Sequence, residues 1–289
     1  MLHITAIPAF DDNYFWLLTE RPVTTGEEPQ YAYIVDPGDG AAVQRVLQAH
    51  QLILSGILIT HRHHDHIGGV NFLCEQHSQG LFYKSADNTS TNADIISVSA
   101  LPVYGPSSDA IQQVTHAVYE GDSISLFDKY SFSVLETPGH TPEHIVYFSE
   151  AAQDNPVLFC GDTLFAAGCG RLLGGSAEQL HQSLQRLANL PDNTQVYCAH
   201  EYTLANLRFA QAVEPHNLAV KKRLQSAQHL RNSGQATVPF ELKGEHDSNP
   251  FLRAHSPDVK TSVQRHCRVD ESISDSETFT QLRRWKDSF

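Results

Sequence analysis

Four times in this chain a short apolar run ends on a histidine or an aspartate. "GILIT" leads into "HRHHDH" at 61–66, "FSVLE" into "TPGH" with His140, "VLFCG" into Asp162, and "VYCA" into His200. Such runs, rich in β-branched and aromatic residues and punctuated by Gly, Pro, Asp and Asn, read as strands. The carboxyl ends of strands are where open α/β sheets gather metal and substrate sites. The first run is the densest, and "GGVNFLCEQH" after it reads as the start of a helix. In extended backbone the side chains of His61 and His63 point the same way. Asp65 and His66 follow where the chain turns, while Arg62 and His64 point elsewhere. Imidazole nitrogen and carboxylate oxygen are ordinary ligands of zinc and also suit iron and manganese. Taken singly, His200 would read as a satisfied core histidine and Asp162 as a cap or turn residue. The fourfold recurrence is what favours a metal site.

The other strand patterns are "HITAIPA", "YFWLLT", "YAYIVD", "HIVYFS" and the flanks of the runs above. Between them "AAVQRVLQAH" reads as a helix, and so does "SAEQLHQSLQRLANL". The latter opens with a capping box, Ser176 with Gln179, and repeats Leu180, Leu184 and Leu187 at helical spacing. After about residue 203 strand signals fade, and "LANLRFAQAV", "LAVKKRLQSAQHL" and "ETFTQLRRWKDSF" read as helices. The expected organisation is an α/β domain over 1–203 and a smaller helical region over 204–289.

Hydrophobic residues at 40% and charged residues at 18% of 289 describe an ordinary soluble globular protein. A net charge of -13 argues against nucleic acid and anionic membranes as partners. The longest apolar run, 52–59, is too short to span a bilayer, and the N-terminus lacks signal-peptide character. Five scattered cysteines without a CxxC pair (Cys74, Cys160, Cys169, Cys198, Cys267) argue for a reducing compartment, the cytoplasm, and against a disulfide framework.

"THRHHDH" from Thr60 resembles the metallo-β-lactamase superfamily signature T-H-x-H-x-D-H, with Arg62 and His64 at its variable positions. The likeness extends to the glyoxalase II (hydroxyacylglutathione hydrolase) family through "DDNYFWLL", "IVDPG", "TPGHT", "FCGDTLFAAGCGR", "YCAHEYTLANLRFA", "NPFLR" and "LRRWKDSF". It covers essentially the whole chain. This resemblance implies an αββα sandwich of two mixed sheets flanked by helices, followed by an all-helical C-terminal domain. It also implies two divalent metal ions, zinc foremost, with iron or manganese as alternatives. One ion would take His61, His63 and His140, the other Asp65, His66 and His200, and Asp162 would bridge them. A hydroxide between the ions would attack the thioester of S-D-lactoylglutathione, giving glutathione and D-lactate, the second step of methylglyoxal detoxification. Asp65 would steer its proton.

For the substrate, the resemblance assigns Arg171, Tyr202, Arg283 and Lys286 to glutathione, the last two to its glycine carboxylate. On helical spacing alone, Arg283 and Lys286 read instead as a solvated face. Leu173 stands where the family often has a tyrosine contacting glutathione. A monomer acting on a small S-acylglutathione is expected, with neither nucleic acid nor membrane as partner. The rival readings are a glutathione persulfide dioxygenase with a single iron, a nuclease of the same fold, and a non-catalytic metal-binding protein. The full ligand set argues against the first and third, the helical C-terminal region against the first as well, and the charge against the second.

Overall fold

The structure is a computed structural model that describes residues 1–24, 30–80, 100–268 and 272–289. By compactness the chain forms two units, one of 1–134 with 152–154 and one of 135–151 with 155–289.

The first unit is built on a mixed sheet of β1 (His3–Ala9), β2 (Asn13–Thr19), β3 (Gln30–Val35), β4 (Leu52–Leu58), β5 (Val103–Pro106) and β6 (His116–Val118), in that spatial order. β1 to β3 pair antiparallel and β3 to β6 parallel. Parallel neighbours need a crossover, and α1 (Gly40–Ala49) supplies the one from β3 to β4. Asp39 caps α1 by accepting the N–H groups of Ala41 and Ala42. Val43 and Leu47 turn inward to a core that includes Ile34, Leu54, Ile57 and, from α3 (Val70–Ser78), Leu73. A single turn, α2 (His64–Ile67), precedes α3. The hairpin of β7 (Ser123–Leu126) and β8 (Tyr130–Glu136) completes this unit, the last two residues of β8 falling in the other.

In the second unit β9 (Ile145–Ser149), β10 (Val157–Gly161), β13 (Gln195–Cys198) and β14 (Phe240–Glu241) run in the order β14-β13-β10-β9. Only β10 and β13 pair in parallel, so both deliver their carboxyl ends on one side. β9 and β10 are buried along their whole length, which is why they read as continuous apolar runs. A two-stranded ribbon, β11 (Leu164–Phe165) and β12 (Gly168–Cys169), follows β10. Around these lie α4 (Ala177–Ala188), α5 (Thr203–Val213), α6 (Leu218–Asn232), α7 (Lys243–Ser248), α8 (Pro257–Cys267) and α9 (Asp275–Asp287). The capping box of α4 forms as expected: Ser176 Oγ accepts the Gln179 N–H and Gln179 Oε1 accepts the Ser176 N–H.

The fading of strand signals after 203 misses β14, which joins β13 from within the helical region. Two residues are too few to show a period. The short α7 escapes for the same reason, and α8 because its sequence is mostly polar. All five cysteines are free, and no helix among the described residues is long and apolar enough to cross a membrane.

Candidate metal centre

In the first unit, parallel pairing sets the ends of β3 and β4 side by side, with the Asp36 N–H on the Leu58 carbonyl at 2.9 Å. Asp36, buried and at φ 51, turns its carboxylate onto the histidine cluster. Its Oδ1 accepts the Thr60 N–H at 2.8 Å and its Oδ2 accepts the Thr60 hydroxyl at 2.7 Å. That hydroxyl has one proton, now spent, so at 3.1 Å it must accept from His61 Nδ1. Asp36 Oδ2 also lies 3.0 Å from His66 Nδ1, which therefore carries the proton. Both rings thus hold Nε2 as a lone pair, the form a cation needs, and a carboxylate behind a ligating imidazole strengthens it as a donor.

His61 Nε2 lies 2.9 Å from His63 Nδ1, so these two nitrogens converge. Asp65, in the first turn of α2, accepts from Asn13 Nδ2 at 3.1 Å and stands 3.6 Å from His66 Nε2. His61 and His66 are fully buried, whereas His64 is exposed, as its variable position implies.

The second unit gathers His140, Asp162 and His200. Asp162 presents one carboxylate oxygen to each histidine: Oδ2 is 3.3 Å from His140 Nε2, and Oδ1 is 3.3 Å from His200 Nε2. Donors about 2.0–2.1 Å from one tetrahedral zinc stand roughly 3.3 Å apart, so either pair suits a single ion. The Arg171 carbonyl can only accept, so at 2.7 Å it fixes the proton of His140 on Nδ1 and frees Nε2. The Asp162 N–H donates to His144 Nε2 at 3.1 Å, and His144 Nδ1 faces the hydroxyls of Thr137 and Thr163. His144 thereby spends its lone pair on the peptide that carries Asp162.

Glycine matters beside this cluster. A Cβ on Gly170 would lie 2.1 Å from the Asp162 carbonyl oxygen and 3.0 Å from His140 Nδ1. Gly139, at φ 144, lets the backbone before His140 reach Leu180 of α4.

All seven candidate ligands offer a nitrogen or carboxylate oxygen, a donor set that suits divalent cations. Cys160, Cys169 and Cys198 are buried thiols. Burial pushes the thiol pKa of Cys169 up to about 11 and that of Cys198 up to about 12, and raises that of Cys160 well above the ordinary range.

Of the four substrate candidates, Tyr202 stacks on the His200 ring at 4.7 Å, and Arg171 is exposed. Arg283 does not lie on a solvated helix face. It is 3% exposed, donates from Nη1 to the Cys169 carbonyl at 3.1 Å and pairs through Nη2 with Asp287. Its buried Nε has no hydrogen-bond partner among the described residues. Lys286 is half-buried. Desolvation, then the positive charges of Arg283 and Arg171, lower its pKa to about 8. Leu173 keeps its side chain exposed, while its N–H binds the His140 carbonyl at 2.8 Å.

Sequence reasoning gave no role to Asn13, Asp36 or His144. "DDNYFWLL", "IVDPG" and "TPEH" carry them, but their partners lie 52, 24 and 18 residues away.

Residues 27–200 match the family described as "Metallo-beta-lactamase superfamily", and 201–289 match "Hydroxyacylglutathione hydrolase C-terminus". A hydroxyacylglutathione hydrolase of Aliivibrio fischeri (strain MJ11) is 44% identical over 289 residues, covering 100% of both chains. That of Shewanella sp. (strain ANA-3) is 45% identical over 294 residues, again 100% of both. A metallo-beta-lactamase from Staphylococcus aureus subsp. aureus COL is 21% identical, covers 99% of this chain and 72% of its own, and superposes with a TM-score of 0.55. That likeness shows the fold, with mixed sheets and flanking helices as the resemblance implies.

Proposed function

Because this chain belongs to the hydroxyacylglutathione hydrolases of the metallo-β-lactamase superfamily, we propose that it hydrolyses the thioester of S-D-lactoylglutathione to glutathione and D-lactate. Nothing in the relatives favours the persulfide dioxygenase. The observation that carries the reading is Asp162, one oxygen toward His140 and the other toward His200, as a carboxylate shared by two ions requires.

We assign His61, His63 and His140 to one ion, Asp65, His66 and His200 to the other, and Asp162 to both, with zinc the first candidate. Two bound cations would supply an acidified water and a Lewis acid for the thioester carbonyl. The chain's own groups do the rest. Asp36 and the Arg171 carbonyl hold His66 and His140 in their Nδ1-protonated form. Asp65, steadied by Asn13, steers the proton of the attacking water. The departing thiolate needs no strong acid, and none is assigned.

Substrate recognition falls to Arg171 and Tyr202, in a catalytic part we take as 1–203, and to Arg283 and Lys286, in a helical region we take as 204–289. Glutathione brings two carboxylates. Three cations near one another, one of them with its pKa depressed and one with an unmade buried N–H, form a place where an anion relieves repulsion. A charge-assisted contact there is worth about 1.5–3 kcal/mol. We assign the complete centre to one chain acting in the cytoplasm, in keeping with its five free cysteines.

The test is a turnover assay with S-D-lactoylglutathione in parallel with glutathione persulfide. Thiol release from the thioester without oxygen uptake from the persulfide supports the assignment. The reverse pattern overturns it.

A further inference from the structure

The ribbon β11–β12 and the turn between them carry none of the seven candidate ligands, yet the helical part of the second unit grips their backbone residue by residue. Asn206 Nδ2 donates to the Ala166 carbonyl at 3.1 Å. Glu245 Oε2 accepts the Ala167 N–H at 2.8 Å, and Asn249 Nδ2 donates to the Gly168 carbonyl at 3.0 Å. Arg283 reaches the Cys169 carbonyl. Four consecutive backbone positions are thus met by side chains from α5, α7, the segment after α7, and α9.

Glu245 is the hub. It is fully buried, an arrangement that persists only when a carboxylate is paired, and it is paired with Arg223 and accepts from Asn249 Nδ2 at 2.9 Å. The residue it holds, Ala167, sits at φ 54, a conformation an alanine adopts at a cost and keeps only when its surroundings enforce it.

The chain leaving the ribbon leads straight to a candidate ligand. Gly170 lies against the Asp162 carbonyl and the His140 ring. The Arg171 carbonyl fixes the His140 proton, and the Leu173 N–H holds the His140 carbonyl. We propose that Glu245 is a positioning residue for the metal centre, fixing the ribbon 164–170 and through it the placement and tautomer of His140. The helical region then shapes the centre as well as holding substrate. The inference rests on His140 serving as a ligand.

Glu245→Gln keeps the shape but sets an amide N–H against Arg223 or Asn249. In the metal-free protein, amide exchange at 166–170 is expected to rise roughly tenfold or more while β4 amides are unchanged, and the Nδ1–H signal of His140 should weaken. Zinc affinity, read by competition with a chromophoric chelator, should fall roughly ten- to a hundredfold, as for loss of other groups that orient ligands. The loss in turnover should appear in kcat, with KM within about twofold. Val259→Ala, in the buried face of α8, which supplies none of the four side chains that meet the ribbon, controls for general destabilisation and should lower only the melting temperature. If Glu245→Gln behaves as that control does, the proposal is overturned. Should Glu245→Gln not fold, Asn206→Ala takes its place, and a folded Asn206→Ala with wild-type ribbon exchange and zinc affinity overturns it equally. The exchange and zinc measurements need no substrate, so wild-type inactivity on the thioester would sink the thioesterase reading alone.

Discussion

His64 and Asp162 test which side chains bind. Asp162 faces two histidines through two oxygens, while His64 is exposed. Asp162→Ala is expected to strip both ions and most of the activity, and His64→Ala to leave metal content and turnover near wild type. Equal metal loss in the two variants would show the ligands to be misassigned. Lys286 offers a pH test. With its pKa lowered to about 8, its charge is present below that pH and lost above it. We expect kcat/KM for the anionic thioester to fall as pH rises through about 8, mainly through KM, because the carboxylate it holds lies far from the reacting carbonyl. Lys286→Arg, charged throughout, should remove that fall. A profile identical in both proteins would leave Lys286 no part in binding. Stability moves the other way: between about 8 and the ordinary 10.5 the unfolded lysine still binds its proton, so the folded chain gains stability as pH rises there.

Helix α4 shows how an element seats a candidate ligand. Its buried face sets Leu180 against Gly139, and Ser183 donates to the Pro138 carbonyl at 2.7 Å, so the loop before His140 rests on this helix. Gly139→Ala would thrust a methyl to 2.4 Å from the Leu180 Cα. Metal content should drop and turnover fall roughly tenfold or more, as when a group orienting a ligand is lost. Ser176→Ala, at the cap of the same helix, should cost about 0.5–2 kcal/mol in urea unfolding and leave turnover intact. Wild-type turnover in Gly139→Ala would refute the seating role. "NPFLR" has a structural meaning too. Arg253 makes a two-pronged ion pair with buried Glu214, Nε to Oε2 and Nη2 to Oε1, both at 2.9 Å. Arg253→Met strands that carboxylate and should destabilise by about 3–5 kcal/mol in denaturant titration. A loss under about 1 kcal/mol would contradict this.

Across the whole molecule, what was legible in the sequence is what depends on neighbours in the chain. Strands β1 and β2 match their expected runs because apolar residues and their punctuation are local. The histidines and aspartates at strand ends were visible for the same reason. Asp36 was not, since its task exists only once β3 and β4 lie side by side. His144 looks like a sixth ligand histidine until the Asp162 N–H is seen to occupy its lone pair. Arg283 has a surface residue's spacing, but its helix packs it against the ribbon beyond Asp162. The proposed two-ion centre is best tested by metal analysis of the purified, metal-replete protein together with its turnover before and after chelation. Close to two ions per chain, with activity lost on chelation and restored by added metal, is the expected result. A stoichiometry held firmly at one ion with full activity would contradict it.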